Sequence, residues 1–310
     1  MKHLVFYLTY FIFPLRLYAQ DTTVIIDNKK YQLPEVFVRN NGNYKSILQQ
    51  IKEDTSFYKA FKNLRLVNYS AFNDVKLYNK NQTIKASLAS KTEQVRKLNC
   101  RSMLIKEELL VGDYYKEQHQ PNYITGQLFE SLFFTNGVIC NENNSVATTQ
   151  LSLAGKSGID KYKEQLKMLF FNPGRKISGI PFIGNKLDVY SDAAEKLYDY
   201  ILEIGEFHGV SCYVFYILAK HRLEKKDDDI VIDELITRLD INTLNVLGRS
   251  YSLSYKTGIY DFDVSMEVEM QQVGDFILPS VLRYKGNWGI LFSKRERGSF
   301  TTTFYNVHKE

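Results

Sequence analysis

The sequence is short of the residues that ordinarily carry chemistry. Its 310 residues include three cysteines, six prolines, one tryptophan and five histidines. No histidines stand at a metal-binding spacing such as H-E-x-x-H, and none lies beside a cysteine pair, so a zinc site has no support. His119, His208, His221 and His308 are expected in turns or at the surface. No G-x-S-x-G is present, which leaves an α/β-hydrolase site unsupported. No G-x-G-x-x-G follows a strand pattern, and no cofactor is implied. Gly155-Lys156-Ser157 ends like a phosphate loop, but Gln150 stands where its first glycine belongs. Charge of one sign is also scarce. Forty Lys and Arg face 35 Asp and Glu, and the net charge of +5 is too weak and too dispersed for a nucleic-acid partner. No linker, repeat or low-complexity tract divides the chain.

Long hydrophobic runs are absent except at the start. Lys2 and His3 precede an apolar run from Leu4 to Leu15, then Arg16 and Leu17-Tyr18-Ala19-Gln20 follow. This is the order of a secretory signal peptide, with the cut expected after Ala19. About 12 apolar residues make only ~18 Å of helix against the ~30 Å of a bilayer core, so a stable transmembrane anchor is not expected. No cysteine stands at the cut, which argues against a lipid-modified N-terminus. The expectation is a leader over residues 1–19, one domain over residues 20–310, and a location in the periplasm or outside the cell. Processing removes the charges of Lys2 and Arg16 and leaves about +3.

Aromatics, by contrast, are plentiful, with 22 Tyr and 20 Phe. Tyr-rich alternating segments favour strands. The period-2 pattern is clearest where Phe262, Val264, Met266, Val268 and Met270 alternate with Asp261, Asp263, Ser265, Glu267 and Glu269. One face of that strand is dry and the other wet. Asn79-Lys80-Asn81-Gln82, Phe207-His208-Gly209-Val210, Gly274-Asp275 and Gly286-Asn287 read as turns between strands. Met103–Tyr115 reads as two short strands around Gly112, and two more strands are expected after Gly286-Asn287. Helical spacing appears near 44–64 and again at Ile159, Tyr162, Leu166, Leu169 and Phe170, behind Ser157 and Asp160 as a start signal. Phe129–Ile139 fits either helix or strand. The expected class is α+β: a large curved antiparallel sheet, an unclosed half-barrel, with a few helices on its concave face.

Several candidate sites follow. Cys100 and Cys140 both neighbour turn-like asparagines while Cys212 lies in an apolar strand pattern, so a Cys100–Cys140 disulfide is expected, the alternative being three reduced thiols. Ile177–Gly184 mixes apolar residues with Gly179, Pro181 and Gly184, as a loop on the core or a flap over a cavity would. Ile180 and Phe182 from that segment, with Phe262, Val264, Met266 and Trp288, are the candidate lining of an apolar ligand site. The acidic face of Asp261, Asp263, Glu267 and Glu269 is read as solvated and paired to Lys294, Arg295 and Arg297 rather than as a cation site. Ser56-Phe57-Tyr58-Lys59 matches S-x-x-K and Lys256-Thr257-Gly258 matches K-T-G, two of the three motifs of penicillin-binding proteins. The third is missing, Ser191-Asp192-Ala193 being the nearest approach.

The order of motifs carries a resemblance. Phe57–Leu64, Phe171-Asn172-Pro173-Gly174, Ser178–Phe182, Tyr251–Tyr255, Tyr260–Val264, Val273-Gly274 with Leu278-Pro279-Ser280, and Phe300–Tyr305 together resemble an uncharacterised family of secreted bacterial proteins. The last hundred residues are in turn similar to the periplasmic lipoprotein-carrier (Lol) fold. That resemblance implies an unclosed antiparallel half-barrel with helices filling its mouth and a site for acyl chains. It brings no catalytic residues, and no position here matches the carrier's key arginine. The resulting expectation is a non-enzymatic envelope protein that binds a lipid or other apolar ligand. The alternatives are an interaction protein docking an envelope partner and a serine hydrolase acting through Ser56 and Lys59.

Overall fold

The computed structural model describes residues 23–26, 29–32, 49–146, 169–171, 173–176, 183–220, 229–256, 260–290 and 295–309. The chain divides into residues 1–36 and residues 37–310. In the first unit β1 (Thr23–Ile26) and β2 (Lys29–Gln32) pair as an antiparallel hairpin. The expected leader, residues 1–19, lies outside the described residues.

The second unit is built on one 11-stranded antiparallel sheet. A first meander comprises β3 (Asn68–Tyr78), β4 (Ile84–Lys97) and β5 (Cys100–Val111). Two-residue strands β6 (Tyr115–Lys116) and β7 (Gln120–Pro121) pair separately, and β8 (Ile139–Cys140) joins β5 at its first two residues. A second meander runs β9 (Tyr198–Phe207), β10 (Val210–Ala219), β11 (Ile232–Asp240), β12 (Val246–Lys256), β13 (Tyr260–Val273), β14 (Phe276–Ile290) and β15 (Glu296–His308). The two meanders meet where β15 pairs with β3, Phe300 opposite Val75. The edges are β8–β5 at one side and β9 at the other, so the sheet is unclosed.

Local chemistry accounts for the hairpins. His208 and Gly209 both have positive φ (51° and 81°), the two-residue turn whose twist suits antiparallel strands. Asn79 closes the β3–β4 turn by accepting from the backbone N–H groups of Asn81 and Thr83. Pro279 sits in β14 beside a register shift, one of the few places where a strand tolerates proline.

Alternation fixes one dry face. A single transverse row runs Leu88, Val75, Phe300, Tyr284, Met266, Tyr251, Leu235 and Ile217 from β4 to β10, each opposite the next. All eight are buried. Two short helices lie against this face. In α1 (Ser56–Asn63) Phe57, Ala60 and Phe61 are buried, and Asn63 Nδ2 donates to the Ile277 carbonyl of β14 (2.9 Å). In α2 (Ile124–Phe133) Phe129 and Phe133 meet Phe300 at 5.3 and 6.1 Å. Residues 169–171 are helical, with Phe170 5.2 Å from Tyr284. Residues 183–197 continue the cover through buried Ile183, Leu187 and Val189.

Two expectations change. Gly286-Asn287 is not a turn, because β14 continues through it to Ile290. Tyr284 and Trp288, two residues either side, join over Gly286 through Trp288 Nε1–H to Tyr284 Oη. A Cβ on Gly286 would fall 1.9 Å from that hydroxyl, so this strand interior requires glycine. One strand, β15, then follows instead of two. The break expected at Gly112 (φ 66°) lies there, between β5 and β6, although β5 is 12 residues long.

Candidate functional site

Four of the six candidate lining residues come together. Phe262, Val264 and Met266 occupy successive dry positions of β13, at 5%, 4% and 3% exposure. Trp288 lies opposite Phe262 on β14, with ring centroids 5.6 Å apart, and Tyr255 extends the stack to Phe262 at 6.1 Å. Val264 faces Gly286 and Leu253. Met266 lies between two buried tyrosines. Tyr251 Oη donates to Met266 Sδ at 2.8 Å and has the Phe170 carbonyl 3.4 Å away. Tyr284 stacks on Phe300 at 4.6 Å. Burial pushes the Tyr251 and Tyr284 hydroxyls well above the usual phenol range, so both act as neutral hydrogen-bonding groups. These residues form one aromatic and sulfur-containing wall. Ile180 and Phe182 lie outside the described residues.

A second constellation surrounds the expected Cys100–Cys140 pair, and apart from that pair reasoning from sequence missed it. Cys100 and Cys140 are joined by a disulfide, and Asn141 N–H donates to the Asn99 carbonyl (2.9 Å). That link closes 40 residues of chain, worth about 4 kcal/mol in the chain-entropy account. It lays residues 139–145 across the start of β5 as a strap. Glu142 of the strap takes a two-pronged ion pair from Arg101, through Nε and, at 3.2 Å, Nη2. Arg65 Nη1 reaches the same carboxylate at 3.4 Å. Lys62 donates to the Ser145 carbonyl and lies 5.3 Å from the Tyr58 ring centre. The same three cations line a cavity of about 60 Å³ with, among others, Phe61, Phe133 and Phe171. Burial raises the Glu142 carboxyl, but the Arg101 hydrogen bond and the charges of Arg101, Arg65 and Arg96 outweigh it and hold it below the usual range. Burial, then the Arg65 charge, lowers the Lys62 ammonium. The available signal was the charge flanking each half of the cysteine pair: Arg101 follows Cys100, and Glu142 stands two past Cys140.

The serine-hydrolase motifs do not converge. Ser56 opens α1 with its backbone N–H on Asp54 Oδ1 (2.8 Å), and the next residue, Phe57, lies under Arg249 of β12 at 4.5 Å. Lys256 is seven positions further along that strand, which is ~23 Å of extended chain. Lys59 is exposed. Gly155-Lys156-Ser157 lies outside the described residues. Among the described residues no group of His, Cys, Asp or Glu could hold a metal ion, and no helix is long and apolar enough to cross a membrane. On the wet face Arg295 takes Asp261 two-pronged (2.6 and 3.2 Å), while Arg283 bridges Glu267 and Glu269 (3.3 and 2.5 Å). Arg283 was not among the expected partners, and Lys294 lies outside the described residues.

No protein-family model and no curated protein matches the chain. Among solved structures it is similar to a DUF1329 family protein from Desulfovibrio piger ATCC 29098, at 10% identity over 84% of this chain and 93% of that one, TM-score 0.27. It is also similar to an outer membrane lipoprotein-sorting protein domain from Vibrio parahaemolyticus, at 10% identity over 85% and 92% of the two chains, TM-score 0.29. Likeness at this level transfers neither site nor function.

Proposed function

We propose that this is an exported envelope protein that holds an apolar, lipid-like ligand against the dry face of its sheet, beneath a displaceable cover. One observation carries the reading. The buried row from Leu88 to Ile217 crosses from β4 to β10, about 34 Å at ordinary strand spacing. The two described helices on that face, of 8 and 10 residues, are only about 12 and 15 Å long. Among the described residues this broad apolar surface is thus covered by short separate elements, which move at lower cost than a second sheet would. The ligand takes the place of part of that cover, and the wall of Phe262, Val264, Met266 and Trp288 supports it. Export is supported by the basic start, the apolar Leu4–Leu15 run and Ala19.

The test is native mass spectrometry of the protein purified from an exported fraction, followed by organic extraction. Extra mass that extracts as lipid is expected, and Met266→Glu, which puts a charge on the wall, is expected to abolish it. A bare polypeptide mass, unchanged by added lipids, would refute the reading.

A second reading, a protein that docks an extended polypeptide by strand addition, is favoured by the β5 edge. Among the described residues no strand pairs with that edge beyond Arg101. Leu104, Ile105, Leu109, Leu110 and Val111 are 42–67% exposed there, on both faces. Open backbone groups flanked by apolar side chains are what an added strand covers.

A further inference from the structure

The wall accounts for a ligand's apolar part, and the pocket beside the strap has the complementary chemistry. Three cations line it, and one carboxylate, Glu142, is shared by two of them. Among the described residues no acidic group pairs with Lys62; its ammonium is held by a carbonyl and a ring. Arg96 adds a fourth positive charge close by, donating to the Arg65 carbonyl (2.5 Å). Arg101 is the most buried of them, so its charge is the one that most needs an anion opposite it. Behind the cations the walls are aromatic: Phe61 and Phe171 are 4.8 Å apart, and Phe133 reaches Phe300 of the central row. The pocket therefore joins the polar rim to the apolar face. Its volume of about 60 Å³ is room for about four water molecules, enough for a carboxylate or phosphate group. The strap runs beside it and touches all three lining cations, Glu142 on Arg65 and Arg101 and Ser145 on Lys62. It is pinned at one end by the disulfide and by Asn144 Nδ2 to Asn63 Oδ1 (2.8 Å) further on.

We propose that Lys62, Arg65 and Arg101 form a subsite for the anionic headgroup, a carboxylate or phosphate, of an amphiphilic ligand, and that Glu142 is a built-in competitor for it. The inference rests on the apolar-ligand reading above and names the headgroup that reading leaves open. A planar guanidinium holding two oxygens, as Arg101 holds Glu142, suits either headgroup equally. Exchange of the Glu142 carboxylate for the ligand's anion keeps both arginines paired, so opening the strap leaves no buried charge alone.

The test is titration calorimetry of the full-length protein with laurate, dodecyl phosphate, neutral dodecyl maltoside, acetate and inorganic phosphate. The two anionic chains are expected to bind at least about tenfold more tightly than the maltoside, the scale of one charge-assisted hydrogen bond. Arg65→Gln, at a half-exposed side chain, should remove most of that preference without unfolding the protein. Glu142→Gln should tighten anionic chains several-fold and leave the maltoside unchanged. Arg101 is mostly buried, so Arg101→Gln is informative only together with a thermal melt. Equal binding of anionic and neutral chains, untouched by both variants, would overturn the subsite and leave the apolar-ligand reading standing. Inorganic phosphate or acetate binding as tightly as its dodecyl counterpart would show a small-anion site and overturn the amphiphile assignment. Absence of any binding would overturn the subsite, while the extraction experiment decides the broader reading on its own.

Discussion

The centre of the sheet and its β5 edge are built from similar residues put to opposite use. At the centre Phe262, Val264, Met266 and Val268 are each at most 5% exposed. On β5 Leu104, Leu109 and Val111 are 50%, 67% and 49% exposed. The difference lies in the neighbours. β13 has strands on both sides and a cover above its dry face, whereas β5 has β4 on one side and, among the described residues, only Cys140 and Ile139 on the other. Burial here follows place in the strand order more than residue type. The same contrast divides the two functional readings, since a ligand under the cover needs the centre and a docked strand needs the edge.

Stability breaks or supports that comparison most sharply. Phe300 is 1% exposed and touches Phe129, Phe133 and Tyr284, so Phe300→Ala is expected to cost about 3–5 kcal/mol in urea unfolding. Leu109→Ala is expected to change stability by no more than ~0.5 kcal/mol. Similar costs at the two positions would show that the β5 edge is covered in solution.

A smaller effect concerns pH. The Glu142 carboxyl is held below its unfolded value of ~4.3. A depressed acid stabilises the fold fully above its unfolded value, and that stability is lost as pH falls through the folded one. Acid unfolding of the wild type should therefore include a component below about pH 4.3 that Glu142→Gln removes. An acid limb unchanged by Glu142→Gln would mean that the strap's ion pair contributes nothing to the fold.

How much of this could be read in advance depended on how local each cause was. β13 was legible because its five alternations are intact along one strand. The His208-Gly209 turn was legible because two consecutive residues carry it. The end of β14 was misread because Gly-Asn is a turn signal, and only the contact between Tyr284 and Trp288 explains a glycine there. The end of β5 at Gly112 was legible, but its full length was not, because its apolar residues occupy both faces and a register shift near Lys106 breaks the alternation. The start of α2 was hidden for a different reason. Its first N–H groups, those of Ile124 and Thr125, donate to the Glu296 carboxylate of β15 at 3.0 and 2.6 Å. A helix capped from 171 residues away leaves no capping residue of its own to recognise. The candidate wall was half legible, since Phe262, Val264 and Met266 share a strand and Trp288 joins them only through register. The basic pocket gathers Lys62, Arg65, Arg101 and Glu142 from three separate stretches, and nothing in any one of them announces it.

The central claim is that a ligand lies on the dry face at the centre of the sheet. Photolabelling the full-length protein with a diazirine-bearing fatty acid, followed by peptide mapping, tests it most directly. The account predicts adducts on β13, β14 and β15 around Met266, Tyr284 and Phe300. Adducts confined to Leu104–Val111 of β5 would contradict it and place the apolar binding at the open edge.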